Sequence, residues 1–503
     1  MNAFPRPALV LALALALVAA AGCAGSRRAD PAPGPELPGP EVPPASPPGH
    51  PNVVLVLTDD LDTSLLRFMP HAQQLAARGA SFADYSVSDT LCCPSRSSIF
   101  TGQYPHDTGV FTNTSPDGGY DVFHSRGLEQ QTFATSLQAA GYRTAMMGKY
   151  LNGYEPTSDG VPQGWNEWDV AGNGYREYGY DLDQNGRVTH HGDAPPDYLT
   201  DVVSARGQDF VRTHAGAGQP FFLEIATFAP HGPSTPAPPD VDAFPGLIAP
   251  RDPSFNTPDA PGAPGWLRSL APLDHRQVDR IDAQYRKRAQ SVQAVDRMLG
   301  DLQTTLAQTG QLANTVVMFS SDNGFHLGQH QLAGGKQTAF ATDLTVPLIA
   351  AGPGVAPRTV PQLAQNVDLA PTIADLAHAP GLPAADGRSL VPLLAETDPP
   401  DWRTAALVEH HGPNDDPSDP DRATGRNRSN PPSYTAIETA AGTYVEYVTG
   451  EREYHDRATD PFQRTNAVAA LPPDRAAALH TTLTALAACH GPVACAAAGR
   501  ARS

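Results

Sequence analysis

Cysteine is scarce in this chain, with five among 503 residues, too few for a fold held by a disulfide framework. Basic residues are short as well. Lys and Arg total 34 against 53 Asp and Glu, a net charge of −19, which argues against a nucleic-acid surface. The deficit does not exclude an anionic small molecule, because a few cations gathered in one cleft invert the local field. Charged residues of both signs make up only 17% of the chain while prolines number 52, so rigid, extended loops are expected. Long apolar runs are also missing: outside residues 8–21 none approaches the roughly 20 residues that span a bilayer. No internal repeat is visible.

The one long apolar run, Ala8 to Ala21, follows Arg6 and has the form of an export signal, to be left out of the fold. It ends at Ala20-Ala21-Gly22-Cys23, which resembles a bacterial lipoprotein signal with Cys23 as the lipidated first residue of the mature chain. A plain secretory signal cut nearby is the alternative. Residues 24–50 are mostly Pro, Ala, Gly and Glu and are expected to form a semi-rigid, polyproline-like linker, a stalk if Cys23 carries lipid. In an exported chain Cys489 and Cys495 form a plausible small disulfide loop. With His490 they are too few for a zinc site. Cys93 is expected to be unpaired and packed.

Four short apolar runs each end in polar chemistry. Val53–Leu57 leads into Thr58-Asp59-Asp60, Tyr142–Met147 into Gly148-Lys149, Phe221–Thr227 into Ala229-Pro230-His231, and Thr315–Phe319 into Ser320-Ser321-Asp322-Asn323. Runs of this length, rich in β-branched and aromatic residues, read as strands buried on both faces. Between them, helices are expected over Met69–Arg78 and Glu129–Ala140, with Gly79 and Gly141 as C-caps. A long amphipathic helix is expected over Arg276–Gln308, where Tyr285, Val292, Val295, Met298 and Leu302 form a stripe. The alternation implies an α/β fold with a large, mostly parallel sheet flanked by helices. Ligands bind beyond the C-terminal ends of such strands, where Asp59, Asp60, Lys149, His231, Asp322 and Asn323 all fall.

The composition changes near residue 400. A catalytic domain over 51–400 and a smaller α+β C-terminal subdomain over 401–503 are expected. The segment His410–Pro432 reads as a loop too polar to be core, Tyr434–Thr439 and Thr443–Val448 as antiparallel strands, and Arg475–Ala488 as a closing helix capped by Asp474. Trp165, Trp168, Tyr175, Tyr178 and Tyr180 form an aromatic-rich stretch that suits sugar stacking or core packing equally.

Asp59, Asp60, Asp322 and Asn323 supply oxygen-bearing side chains that suit a hard divalent cation, Ca²⁺ or Mg²⁺, better than zinc, although adjacent aspartates can also cap a helix. The most unusual stretch is Leu91-Cys92-Cys93-Pro94-Ser95-Arg96-Ser97-Ser98-Ile99-Phe100-Thr101-Gly102, continued by Gln103-Tyr104-Pro105-His106. Cys92, Pro94, Ser95 and Arg96 fit the Cys-x-Pro-Ser-Arg signature, and the chain resembles the type I sulfatases of the alkaline phosphatase superfamily over most of residues 51–470. The Gly148-Lys149-Tyr150-Leu151-Asn152 form and the double cysteine are similar to the branch of N-acetylglucosamine-6-sulfatases and extracellular heparan sulfatases.

The resemblance implies an alkaline-phosphatase-like fold and a calcium ion at Asp59, Asp60, Asp322, Asn323 and the modified Cys92. A formylglycine-generating enzyme would oxidise Cys92 to formylglycine. One hydroxyl of the hydrated aldehyde attacks sulfur, and the other collapses to expel sulfate. Arg96 would steady the nucleophile, Lys149 and Lys336 would grip sulfate oxygens, and His231 would protonate the leaving alcohol. The implied substrate is a sulfated carbohydrate or an aryl sulfate ester, met outside the cytoplasm by a protein tied to the membrane only through a lipid anchor. The chain departs from the family pattern at Leu151, at Asp107-Thr108 and at Ala341-Thr342 before Asp343, which leaves the base that collapses the intermediate to His106 or His326. Two other readings keep the fold: a formylglycine-dependent phosphonate or phosphodiester hydrolase, and an inactive lipid-anchored glycan binder.

Overall fold

A computed structural model describes residues 50–258, 262–422 and 424–500. The signal segment, the linker and Cys23 lie outside the described residues, apart from His50. Among the described residues no helix is long and apolar enough to cross a membrane.

The architecture is a ten-stranded sheet between helices, with a separate four-stranded antiparallel sheet in the C-terminal region. The large sheet runs in the order Arg358–Val360, Ala80–Phe82, Leu348–Ala351, Thr315–Ser321, Asn52–Thr58, Phe221–Ala226, Arg143–Lys149, Glu167–Ala171, Tyr180–Gln184 and Arg187–His191. The four strands expected from the sequence are adjacent in the middle and, with Glu167–Ala171, all parallel. Antiparallel pairing is confined to the flanks, where Leu348–Ala351 and a hairpin ending at His191 extend the sheet.

Both faces of the central strands are covered, which is why their sequences are apolar without alternation. Val53, Leu55 and Leu57 pack with Phe100, Phe133 and Trp165 on one face. Val54 and Val56 pack with Val203, Phe210, Val292, Val295 and Met298 on the other. The long helix spans His275–Gln308 and carries its apolar stripe into that second layer, with Asp274 closing a capping box at its start.

Several local expectations are corrected. The helix expected over Glu129–Ala140 divides into a 3-10 turn, Leu128–Gln131, and a helix, Phe133–Ala139, with Thr132 extended between them. Gly141 takes a φ of 84°, as a C-cap glycine does, but Gly79 is extended. Gly79 is needed for a different reason: a Cβ there would lie 2.0 Å from the Ala350 carbonyl oxygen on the neighbouring strand. The closing helix, Pro473–Ala487, starts two residues early, so Pro472 is its cap and Asp474 sits in its first turn. There the carboxylate still favours the positive end of the helix dipole.

The small sheet comprises Ala405–His410, Tyr434–Thr439, Gly442–Tyr447 and Arg452–Asp456. Its Leu407, Ile437 and Tyr444 pack against Leu479, Leu483 and Leu486 of the closing helix. Cys489 and Cys495 form a disulfide just beyond that helix, and Cys93 is free and buried.

Candidate active site

Parallel pairing sets the ends of the central strands level. Thr58 pairs with Ser321, and Ala226 pairs with both Leu57 and Gly148, so the residues that follow emerge at one edge. Asp59, Asp60, Asp322 and Asn323 are buried there, within 1% exposure. Asp60 turns the chain with a φ of 65°, a left-handed conformation that aspartate tolerates better than most residues. The turn is held on both sides: Asn323 Nδ2 donates to Asp60 Oδ1 at 2.7 Å, and Arg288 donates to the Asp60 carbonyl.

Opposite this edge lies the helix Cys92–Thr101, buried along its whole length. Cys92 is its first residue and Gly102, with a φ of 75°, ends it, so the Cys92 side chain sits at the positive end of the helix dipole. Ser95 Oγ donates to the Asp322 carbonyl at 2.5 Å and accepts from Asn366 at 2.9 Å. Arg96 donates from Nε to Asp322 Oδ2 at 2.7 Å and from Nη1 to the Lys149 carbonyl at 3.0 Å. The Pro-Ser-Arg part of the motif thus ties the helix to two strand ends and fixes where Cys92 points.

Around Cys92 Sγ the charges alternate. Asp59 Oδ1 lies at 3.3 Å and Lys336 Nζ at 2.9 Å. Lys149 Nζ donates to Asp59 Oδ2 at 2.5 Å, and Lys336 Nζ donates to Asp60 Oδ1 at 2.6 Å. His231 Nε2 stands 3.8 Å from Asp60 Oδ2. Burial and the nearby Asp421 and Asp59 carboxylates push the Cys92 thiol up, well above its ordinary range. Burial would raise Asp59 too, but Lys149, His231, Arg96 and Lys336 hold it well below the usual carboxylate range. All the sequence-derived candidates, Asp59, Asp60, Cys92, Arg96, Lys149, His231, Asp322, Asn323 and Lys336, are brought into this one cluster.

Asp59, Asp60, Cys92 and His231 each offer a ligand atom, all within 4.8 Å of one another. The donor set fits a cation: two carboxylates, a sulfur and an imidazole nitrogen converge, and Asp322 beside them is pushed up by burial and by the charge of Asp59, as expected where negative charge is crowded.

The two histidines offered as the collapsing base are engaged by other partners. His106 is committed elsewhere, with Nδ1 on Glu409 at 2.8 Å and Nε2 on the Cys489 carbonyl at 2.7 Å. His326 turns its Nδ1 to Asp343 at 2.9 Å. Neither is brought to Cys92. The aromatic stretch divides. Trp165, Trp168 and Tyr180 are core, and Tyr178 packs on Tyr198 at 5.5 Å. Tyr175 alone reaches the site, its ring 4.5 Å from that of His231 and 5.0 Å from Lys149 Nζ.

Sequence reasoning missed Asp421. It belongs to the segment read as a polar loop outside the core, yet its side chain is only 4% exposed. Oδ1 accepts from His231 Nε2 at 2.8 Å; Oδ2 accepts from Asn113 at 2.7 Å, pairs with Lys336 at 3.0 Å and lies 3.4 Å from Cys92 Sγ. A polar residue is buried here because cations meet it. No local signal marks it, since it stands 329 positions from Cys92 in the chain.

The sulfatase family model matches residues 51–379. The chain belongs to the sulfatase family. Human N-acetylglucosamine-6-sulfatase is 35% identical over 474 residues, spanning 88% of this chain and 85% of the human protein. A putative extracellular sulfatase Sulf-1 homolog of Caenorhabditis elegans is 37% identical over 374 residues, 71% of this chain and 52% of the worm protein. The fold of this sulfatase matches BT4656, solved in complex with its substrate D-glucosamine-2-N,6-O-disulfate, with a TM-score of 0.72 at 24% identity over 86% of this chain and 97% of that one. The phosphonate monoester hydrolase of Agrobacterium radiobacter shares the fold as well, with a TM-score of 0.65 at 21% identity over 85% of this chain and 93% of that one. The sulfatase is therefore a sulfuric ester hydrolase, and the reading of it as an inactive binder is set aside.

Proposed function

We propose that this sulfatase is exported and removes sulfate from sulfated amino sugars of glycosaminoglycan type, N-acetylglucosamine 6-sulfate foremost. The observation that carries the reading is the placing of Cys92 at a helix N-terminus, 2.9 Å from Lys336 Nζ and 3.3 Å from Asp59. The extent of the likeness to human N-acetylglucosamine-6-sulfatase supports the choice of sugar.

The thiol itself is a poor nucleophile here, because burial and two carboxylates keep it protonated. Oxidised to formylglycine by a generating enzyme, Cys92 would supply a hydrated aldehyde whose hydroxyl attacks sulfur. Asp59, Asp60, Asp322 and Asn323 would hold Ca²⁺, with Mg²⁺ the alternative; bound there, the ion supplies Lewis-acid polarisation. Lys149 and Lys336 bind sulfate oxygens, and Arg96 holds the nucleophile's helix against Asp322. His231 holds a proton at Nε2 for the departing alcohol; burial would lower its pKa, but Asp60, Asp59 and Asp421 outweigh that and raise it to about 9. Export through the segment ending at Cys23, lipidation there, and a division into a catalytic domain over 51–400 with a C-terminal subdomain over 401–503 belong to the same proposal.

The test is the mass of the Cys92 peptide from protein made in its native host, together with sulfate release from N-acetylglucosamine 6-sulfate. An aldehyde at Cys92, with release abolished in Cys92→Ala, is expected. An unmodified thiol in an active preparation overturns the mechanism, and cleavage of phosphonate esters in preference to sulfate esters overturns the substrate.

A further inference from the structure

A pocket of about 460 Å³ opens directly from the reacting groups, lined by Lys149 and Tyr175 at its inner end. These two residues belong to both spaces: Lys149 Nζ is 2.5 Å from Asp59, and the Tyr175 ring is 4.5 Å from that of His231. With the sulfate on Lys149, as proposed above, a group bonded to it projects into this pocket.

Its chemistry is one-sided. Among the described residues Lys149 is the only Lys or Arg in the lining, and its charge already faces Asp59. Asp121, Glu155 and Asp416 also line it. Arg176, next in the chain to Tyr175, is not in the lining and faces Asp193 at 4.0 Å. A separate observation points to a ligand: Asn152, 7% exposed, lines the pocket and has its Oδ1 buried with no hydrogen-bond partner. Its Nδ2 is spent on the Tyr175 hydroxyl at 3.1 Å, so what remains is a bare acceptor. Such an atom is costly to bury unless a donor meets it.

We infer that this pocket selects a sugar whose substituents beside the scissile ester donate hydrogen bonds and carry no negative charge, a hexosamine with a free ammonium above all, and that it rejects a second sulfate. The inference rests on the sulfated amino-sugar reading and sharpens it. An ammonium or amide N–H satisfies Asn152 Oδ1 and is attracted by the three carboxylates. An N-sulfo group brings a negative charge to the same carboxylates, and among the described residues the lining holds no second Lys or Arg to receive it.

The experiment compares kcat/KM for glucosamine 6-sulfate, N-acetylglucosamine 6-sulfate and glucosamine 2-N,6-O-disulfate, at low salt and mildly acidic pH so that the free amine is protonated. The free amine is expected to exceed the disulfate by about tenfold or more, the scale of one partly screened charge contact, with the acetyl sugar between them. Added salt and the double variant Asp121→Asn, Glu155→Gln should both narrow that ratio. Equal or faster cleavage of the disulfate overturns the inference, and a ratio that the double variant leaves unchanged removes these carboxylates as its cause. Failure on all three sugars with 4-nitrophenyl sulfate still cleaved is a different result: it overturns the amino-sugar reading itself, and this inference with it.

Discussion

The Nε2 of His231 donates to Asp421 Oδ1 at 2.8 Å, while Nδ1 of the same ring donates to the Gly232 carbonyl at 2.8 Å. Both ring nitrogens are thus donors, the arrangement of an imidazolium. One oxygen of the partner carboxylate is on His231 and the other on Lys336 and Asn113. Burial alone would raise the pKa of Asp421, but Lys336 and His231 hold it far below the usual carboxylate range.

If Lys336 binds a sulfate oxygen, as proposed above, Asp421 and the substrate sulfate compete for it. Asp421→Asn removes the resident charge, and inorganic sulfate should then inhibit with a constant roughly tenfold lower than in the wild type, one charge contact being worth on the order of 1 kcal/mol or more. Steady-state inhibition by sodium sulfate measures it. An unchanged or higher constant would show that Asp421 and sulfate occupy different places.

A general acid matters most when the leaving group is a poor one. His231→Ala should lower kcat by about 10²–10⁴ on a sugar sulfate and far less on 4-nitrophenyl sulfate, whose phenolate leaves without help. Equal losses on both esters would assign His231 to sulfate binding alone.

Glu224, on the central strand Phe221–Ala226, is fully buried with no hydrogen-bond partner on either oxygen. Burial pushes it up to about 8, opposed only by Arg96. A carboxyl whose folded pKa exceeds its unfolded value near 4.5 is held protonated by the fold. Its stability contribution is full below that value and is lost as pH rises through 8. Glu224→Gln has nothing to ionise. Its melting temperature should pull ahead of the wild type from about pH 5 and level off above pH 8. A constant difference across that range would mean that Glu224 is ionised in the folded protein.

The residues by themselves determined the parallel core and placed Asp59, Asp60, Lys149, His231, Asp322 and Asn323 at its strand ends, while Cys92, Arg96 and Lys336 were marked by the resemblance to type I sulfatases. Those signals are local: an apolar run ending in Asp59-Asp60 or Lys149, or a Cys-x-Pro-Ser-Arg turn that opens a helix, keeps its meaning without its neighbours. The mixed flanks of the sheet, Gly79's close approach to Ala350, the commitment of His106 to Glu409 and the division of the aromatic stretch between core and cleft were decided only by tertiary packing. Asp421 is the clearest case. Burying a carboxylate is favourable only where cations await it, and Lys336 and His231 reach it only after the chain between them has folded. A polar loop on paper becomes part of a buried, charged cluster because electrostatics acts through space and not along the sequence.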